Sequence, residues 1–198
     1  MNLDYIVDKH HKNDTGFCRH YLTLYSIVLG METQSAFEFG CGFSTKTILE
    51  ALKETGGKLI TCDPRSIDGS EGGKSTGNSK EDIEKYAHCW KYIQKISEEG
   101  LKDLTDETFD FVLHDGSHTL EIVREDIKTI VPRIKKDGLL LLHDTEHPTS
   151  NFNLIDAIDW LDCRFSRVTL PYGYGLTIVR IEEDFGNGEV KIKWRKEK

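Results

Sequence analysis

Four short apolar runs, each ending at a glycine or an aspartate, constrain this chain more than anything else in it. They are Ser35–Gly40 (SAFEFG), Lys58–Cys62 (KLITC, leading into Asp63-Pro64), Asp110–His114 (DFVLH, leading into Asp115-Gly116) and Gly138–His143 (GLLLLH, leading into Asp144). Segments of helical period separate them. Thr45–Glu54 sets Ile48, Leu49 and Leu52 on one side and closes at Gly56-Gly57. Leu120, Val123, Ile127, Ile130 and Ile134 also recur at helical spacing, with Pro132 expected to end that helix early. Phe17–Met31 reads as a first amphipathic helix, and Asn153–Leu161 as a short late one. Between Ile83 and Ile96 the pattern is read as helix to about Cys89 and then as strand over Trp90–Ile96. Ser166–Leu170 and Leu176–Ile181 form a hairpin across Pro171–Gly175. The expected fold is therefore α/β: a Rossmann-like doubly wound sheet, mostly parallel with an antiparallel C-terminal strand, in a three-layer α/β/α sandwich. Ligands of such sheets lie beyond the carboxyl ends of the strands.

The 198 residues suit one domain over 1–198, with an N-terminal helical segment at 1–34. Ser66–Lys80 (SIDGSEGGKSTGNSK) reads as a mobile loop, and residues 184–198 as a basic extension. No apolar run reaches the length of a membrane span, and the amino end has no signal-peptide pattern, so a cytoplasmic chain without a membrane partner is expected. A net charge of −8 argues against nucleic acid. Five scattered cysteines without a C-x-x-C fit free thiols in a reducing compartment. A small-molecule partner remains, and a homo-oligomer stays open.

Glu38-Phe-Gly-Cys-Gly-Phe-Ser-Thr45 follows a strand and opens a helix. Gly40 and Gly42 allow a sharp turn and close approach of a ligand to the backbone. The helix start, from Cys41 to Ser44, supplies unpaired N–H groups. Asp63 ends the next strand, 21 residues after Gly42, where a carboxylate can accept the hydroxyls of a ribose. A dinucleotide fingerprint asks for a third small residue where Thr45 stands. Glu38 would also repel a pyrophosphate, and it suits a cationic ligand such as an ammonium or sulfonium better. An NAD-dependent oxidoreductase is thus a weaker alternative.

Two strand ends carry the same punctuation, His114-Asp-Gly-Ser-His118 and His143-Asp-Thr-Glu-His147. If the strands are neighbours, Asp115 and Asp144 converge at the sheet edge. Paired carboxylates beside imidazoles are suitable ligands for a divalent cation, with Mg or Mn favoured by the oxygens. Alternation along a strand equally allows His114 and His143 to point into helix-packing layers. His118 has the ordinary basicity of a general base near neutral pH. His10, His11, His88 and His20 read as surface residues or, for His20, as part of the first helix.

FEFGCGFST, LITCDP, FDFVLHDGSHTLEIVREDI and KDGLLLLHDT, from about Ser35 to Ile181, resemble successive motifs of class I S-adenosylmethionine-dependent methyltransferases. The similarity is to a small O-methyltransferase-like branch related to macrocin O-methyltransferases and cephalosporin-hydroxylase-type proteins. The resemblance implies that Glu38, Gly40 and Gly42 line the methionine part of S-adenosylmethionine and that Asp63 holds its ribose. It further implies that Ile96 and Ser97 flank the adenine and that Asp115 lies near the methionine end. It places a metal at Asp115 and the pair His143-Asp144, where one expected carboxylate is an imidazole. The implied activity is O-methylation of a small hydroxylated acceptor, with Asp115 and His118 catalytic. A non-catalytic cofactor-binding module is the other alternative.

Overall fold

The apolar runs pair into a seven-stranded sheet. Its members are β1 (Ser35–Phe39), β2 (Lys58–Cys62), β3 (Trp90–Ile93), β4 (Phe109–His114), β5 (Ile134–His143), β6 (Phe165–Leu170) and β7 (Leu176–Ile181). The spatial order is β3-β2-β1-β4-β5-β7-β6. The first five strands run parallel, and β7 is antiparallel to both β5 and β6. The computed structural model describes residues 4, 6–8, 16–67, 76–149 and 153–185. Most of the loop expected at 66–80, part of the 1–34 segment and nearly all of the basic extension at 184–198 therefore lie outside the described residues.

Alternation along the strands divides the core into two layers. Phe37, Phe39, Val112, Leu140 and Leu142 face one side, under α5 (Leu120–Ile130) and α6 (Ile155–Asp159). Ala36, Phe111, Leu113 and Leu141 face the other, under α1 (Tyr21–Gly30) and α2 (Phe43–Thr55). Each large apolar side chain buried this way contributes about 1.5–3 kcal/mol. That is the physical reason the central strands carry hydrophobic residues on both faces. The helix over Leu120–Ile130 stops where Pro132 requires, passing into a short 3₁₀ turn at Val131–Arg133. Among the described residues no helix is long and apolar enough to cross a membrane.

Several boundaries differ from the sequence expectation. The strand expected over Trp90–Ile96 ends at Ile93, because its neighbour β2 ends at Cys62, the partner of Ile93. Ile96 then becomes the cap of a one-turn helix, α4 (Ser97–Gly100). The strand expected from Gly138 begins at Ile134, which pairs with Phe109 across a register shift. The late helix is confined to Ile155–Asp159. The helix expected before β3 is α3 (Lys80–Tyr86), and the expected Phe17–Met31 helix is a 3₁₀ turn at Gly16–His20 leading into α1.

Strand order reverses between β1 and β4, which leaves a crevice beyond their carboxyl ends. The glycine turn after β1 and Asp115 after β4 meet there.

Candidate active site

Gly40 fixes the turn. Its φ of +85° is a conformation that L side chains rarely adopt, and an added Cβ would sit 2.3 Å from the Asp115 carbonyl oxygen. The turn is pinned on both flanks: the Gly40 amide donates to Cys62 (2.9 Å), and the Asp115 amide donates to Phe39 (3.0 Å). Gly42 is different. Its backbone is extended, and the nearest atom to an added Cβ is the Thr76 carbonyl oxygen at 4.0 Å. Among the described residues nothing comes closer than this to an added Cβ at Gly42, at the first turn of α2. Asn78 braces this turn by donating to the Gly42 carbonyl at 3.0 Å. The Cys41 thiol is pushed up to about 12, chiefly by burial, which removes it as a nucleophile at neutral pH.

Glu38 lies behind the turn and is wholly buried. Ser44 (2.6 Å), Thr45 (2.7 Å) and Thr61 (3.0 Å) donate hydroxyl hydrogen bonds to its carboxylate. Burial pushes its pKa up to about 8, against the pull of those hydroxyls. Glu38, expected from sequence beside a cationic ligand, is turned inward to these hydroxyls. Glu38 ties the start of α2 to β1 and β2 from inside the fold.

Asp63 closes β2 at the crevice and is 3% exposed. Its carboxylate accepts from the amides of Cys41 (2.8 Å) and Arg65 (2.8 Å). The Arg65 guanidinium forks onto both of its oxygens, Nε at 2.9 Å from Oδ1 and Nη2 at 2.6 Å from Oδ2. Ile96 is half-exposed at the start of α4, and Ser97 follows it. Both border a groove of about 910 Å³ that also takes in Leu101, Leu104 and Ile122.

At the twin strand ends, one ligand-capable atom each of Asp115, His118 and Asp144 lies within 4.8 Å of the others. His118 Nε2 is 2.8 Å from Asp144 Oδ2, and the His118 side chain is 48% exposed. The Asp144 hydrogen bond raises the His118 pKa above its usual value. Burial works against the Asp144 anion, yet His118 and His143 together hold its carboxyl well below the ordinary range. Asp144 also has a positive φ of 58°, a strained backbone at the edge where the groups converge.

His143 lies outside this grouping. Its Nδ1 lies 3.0 Å from Asp115 Oδ1, and its Nε2 lies 2.8 Å from the Gly173 carbonyl oxygen. A carboxylate on one ring nitrogen and a carbonyl on the other favour the doubly protonated, cationic ring. Burial opposes that charge, but the hydrogen bonds to Asp115 and Asp144 outweigh it and raise the His143 pKa. Of the residues expected from sequence, Asp115 and Asp144 converge, and the imidazole grouped with them is that of His118, while His143 is turned to Asp115 and Gly173. A cation built into the fold already offsets the two carboxylates.

One neighbour escaped the sequence, His20, and His114 takes the helix-packing position that alternation along the strand allowed. His20 is fully buried, with its ring 5.8 Å from that of His143 and stacked on Tyr172. Burial, then the charge of His143, lowers its pKa to about 4, so it is neutral. His114 turns inward and meets Asp126 of α5 at 3.0 Å, in the helix-packing layer. His88 is exposed, and His10 and His11 lie outside the described residues.

Residues 37–145 match the family model described as "Methyltransferase domain". The chain is 25% identical over 107 residues to the uncharacterized protein y4gI of Sinorhizobium fredii, an alignment covering 53% of this chain and 12% of that protein. It thus spans about an eighth of that relative's length. Among solved structures it is similar to a Staphylococcus aureus protein described as a caffeoyl-CoA O-methyltransferase, with TM-score 0.64 and 15% identity, covering 91% of this chain and 99% of that one. It is also similar to the Bacillus cereus O-methyltransferase in complex with SAH, with TM-score 0.60 and 14% identity, covering 90% of both chains. A third likeness is to the methyltransferase MycE of mycinamycin biosynthesis in complex with Mg, SAH and mycinamycin VI. There the TM-score is 0.55 and the identity 16%, covering 96% of this chain and 55% of that one. At these identities the likeness is one of fold.

Proposed function

Because this chain belongs to the methyltransferase-domain family, whose model matches residues 37–145, we propose that it transfers a methyl group from S-adenosylmethionine to a hydroxyl of a small acceptor. The observation that carries the reading is the convergence of Asp115, His118 and Asp144 beside the glycine turn, at the reversal of strand order. The face of Gly42, the amides at the start of α2 and the Asp63 carboxylate make up the cofactor side, with Gly40, Cys41 and Ser44 shaping the turn. Ile96 and Ser97 border the adenine end. The acceptor side lies over Asp115 and His118.

In this reading alignment provides most of the catalysis, since the sulfonium is already a strong electrophile. His118 takes the acceptor's hydroxyl proton. With its Nε2–H directed at Asp144, the neutral ring presents Nδ1 as the base, and Asp144 stabilises the imidazolium that forms. His143 holds Asp115 in place through Nδ1. The donor set Asp115, His118 and Asp144 fits a small divalent ion. With Mg or Mn bound there, the chemistry supplied would be a lowered pKa of the acceptor hydroxyl.

Calorimetry with S-adenosylhomocysteine and NAD tests the cofactor: saturable binding of the first and none of the second is expected, and the reverse would sink the reading. A turnover assay on hydroxylated acceptors, with chelator-treated and Mg- or Mn-supplemented protein, then tests the proton transfer. Full activity after chelation leaves that step to His118. Activity restored only by Mg or Mn moves His118 from base to ligand.

A further inference from the structure

Asp63 is fully subscribed. A carboxylate offers about four lone-pair sites, and here four donors fill them. Two are backbone amides, those of Cys41 and Arg65, each at 2.8 Å. Two belong to the Arg65 guanidinium, Nε and Nη2, one on each oxygen. Nη2 also donates to the Cys41 carbonyl at 2.7 Å, so the guanidinium spans the mouth between the glycine turn and the end of β2. A ribose cis-diol brings two O–H donors, the same number as the guanidinium side. Neither amide can give way, because each is fixed by its own backbone. The Tyr92 hydroxyl lies against the carbonyls of Asp63 and Arg65 and clamps that stretch of chain. Only the Arg65 side chain can leave. It is 42% exposed and can swing into solvent.

We propose that Arg65 is an internal competitor for the cofactor: its guanidinium occupies the two acceptor positions of Asp63 that a ribose diol requires, and cofactor binds by displacing it. This rests on Asp63 being the ribose acceptor. The arrangement has a clear electrostatic purpose. A nearly buried carboxylate without a ligand would carry an uncompensated charge, and the bidentate guanidinium supplies the compensation until a diol arrives. Arg65 therefore sets cofactor affinity without contacting the reacting atoms.

The test is calorimetric titration of S-adenosylhomocysteine into wild type, Arg65→Ala, Arg65→Lys, Asp63→Asn and the Asp63→Asn/Arg65→Ala double variant, each checked for folding by thermal melting. Removing a competitor tightens binding, so Arg65→Ala should gain about threefold to tenfold, the range for losing one charge-assisted contact at a half-exposed site. Arg65→Lys should fall between, because an ammonium cannot fork onto both oxygens. Between Asp63→Asn and the double variant the gain should vanish, because a neutral carboxamide at position 63 no longer draws the guanidinium onto the diol site. A purely structural Arg65 would not produce that dependence. If wild type binds and Arg65→Ala binds equally or more weakly, the competition is wrong while the cofactor reading stands. If wild type and both Arg65 variants fold but take up no S-adenosylhomocysteine, the cofactor reading itself falls and the competition with it.

Discussion

The turn after β1 and the twin ends of β4 and β5 share one sheet edge, yet they treat charge in opposite ways. Around the turn two carboxyls, Glu38 and Asp63, are closed off within the fold. Glu38 is sealed under three hydroxyls, and Asp63 is filled by two amides and a guanidinium. At the twin ends the charges are gathered but one face stays open. His143 is locked between Asp115 and Gly173, while His118 reaches into solvent with about half its side chain. The first region is built to hold a shape against which a ligand can lie. The second keeps an imidazole half-open to solvent beside two carboxyls. Rigid backbone and saturated polar groups serve positioning; a titratable group left accessible serves chemistry.

Substitutions can break that contrast, and the largest effect belongs to Gly40. Gly40→Ala would drive a Cβ into the Asp115 carbonyl and force a left-handed backbone on a residue that resists it. A loss of about 4 kcal/mol or more is expected, at the severe end for single substitutions. Denaturant melts of the variant read this directly, and a near-normal midpoint would show that the turn is not rigid.

Next is His118→Ala, which empties the accessible side. The transfer rate should fall about 10²–10⁴-fold, the usual contribution of a general base, with S-adenosylhomocysteine affinity kept. Equal losses of rate and cofactor binding would place His118 on the positioning side instead. Gly42→Val separates the two glycines of the turn. The chain should melt normally, since among the described residues the Cβ meets nothing closer than 4.0 Å, but S-adenosylhomocysteine binding should weaken about tenfold or more as the side chain fills the face of the turn. Normal binding would move the cofactor away from this turn.

The smallest effect concerns the sealed carboxyl. The folded-state pKa of Glu38 is raised from 4.5 to about 8 by burial, so the folded chain holds a proton there that the unfolded chain releases. Its contribution to stability is fully present below about pH 4.5, declines as pH rises towards 8, and is flat above. Glu38→Gln, which mimics the protonated form, should remove that part of the decline when its pH–stability curve is subtracted from that of wild type. A constant difference between the curves across this window would mean that Glu38 is ionised in the folded protein.

How much of this was readable beforehand differs between the two regions. Gly40 and Asp63 announced themselves because a glycine between strand and helix and a carboxylate at the next strand end are local, covalent facts. The pairing of β4 with β5 followed from the strand–helix alternation, and with it the meeting of Asp115 and Asp144. Which imidazole joins them did not follow, since each repeat of the motif carries one histidine directly before its aspartate and another three residues after it. That choice depends on Gly173, a hairpin residue 30 positions further on, whose carbonyl takes the second proton of His143.

The amino-acid sequence by itself determined the layers and the sheet edge at which the glycine turn and the twin strand ends lie, because hydrophobic period and turn residues act over a few neighbours. Tertiary structure alone decided the charge states. Arg65 on Asp63, the hydroxyl cage of Glu38, buried His20 beside His143 and His114 on Asp126 are contacts whose geometry or burial is set by packing. Protonation depends on desolvation and on the nearest opposite charge, and both are properties of three-dimensional packing that no local pattern encodes.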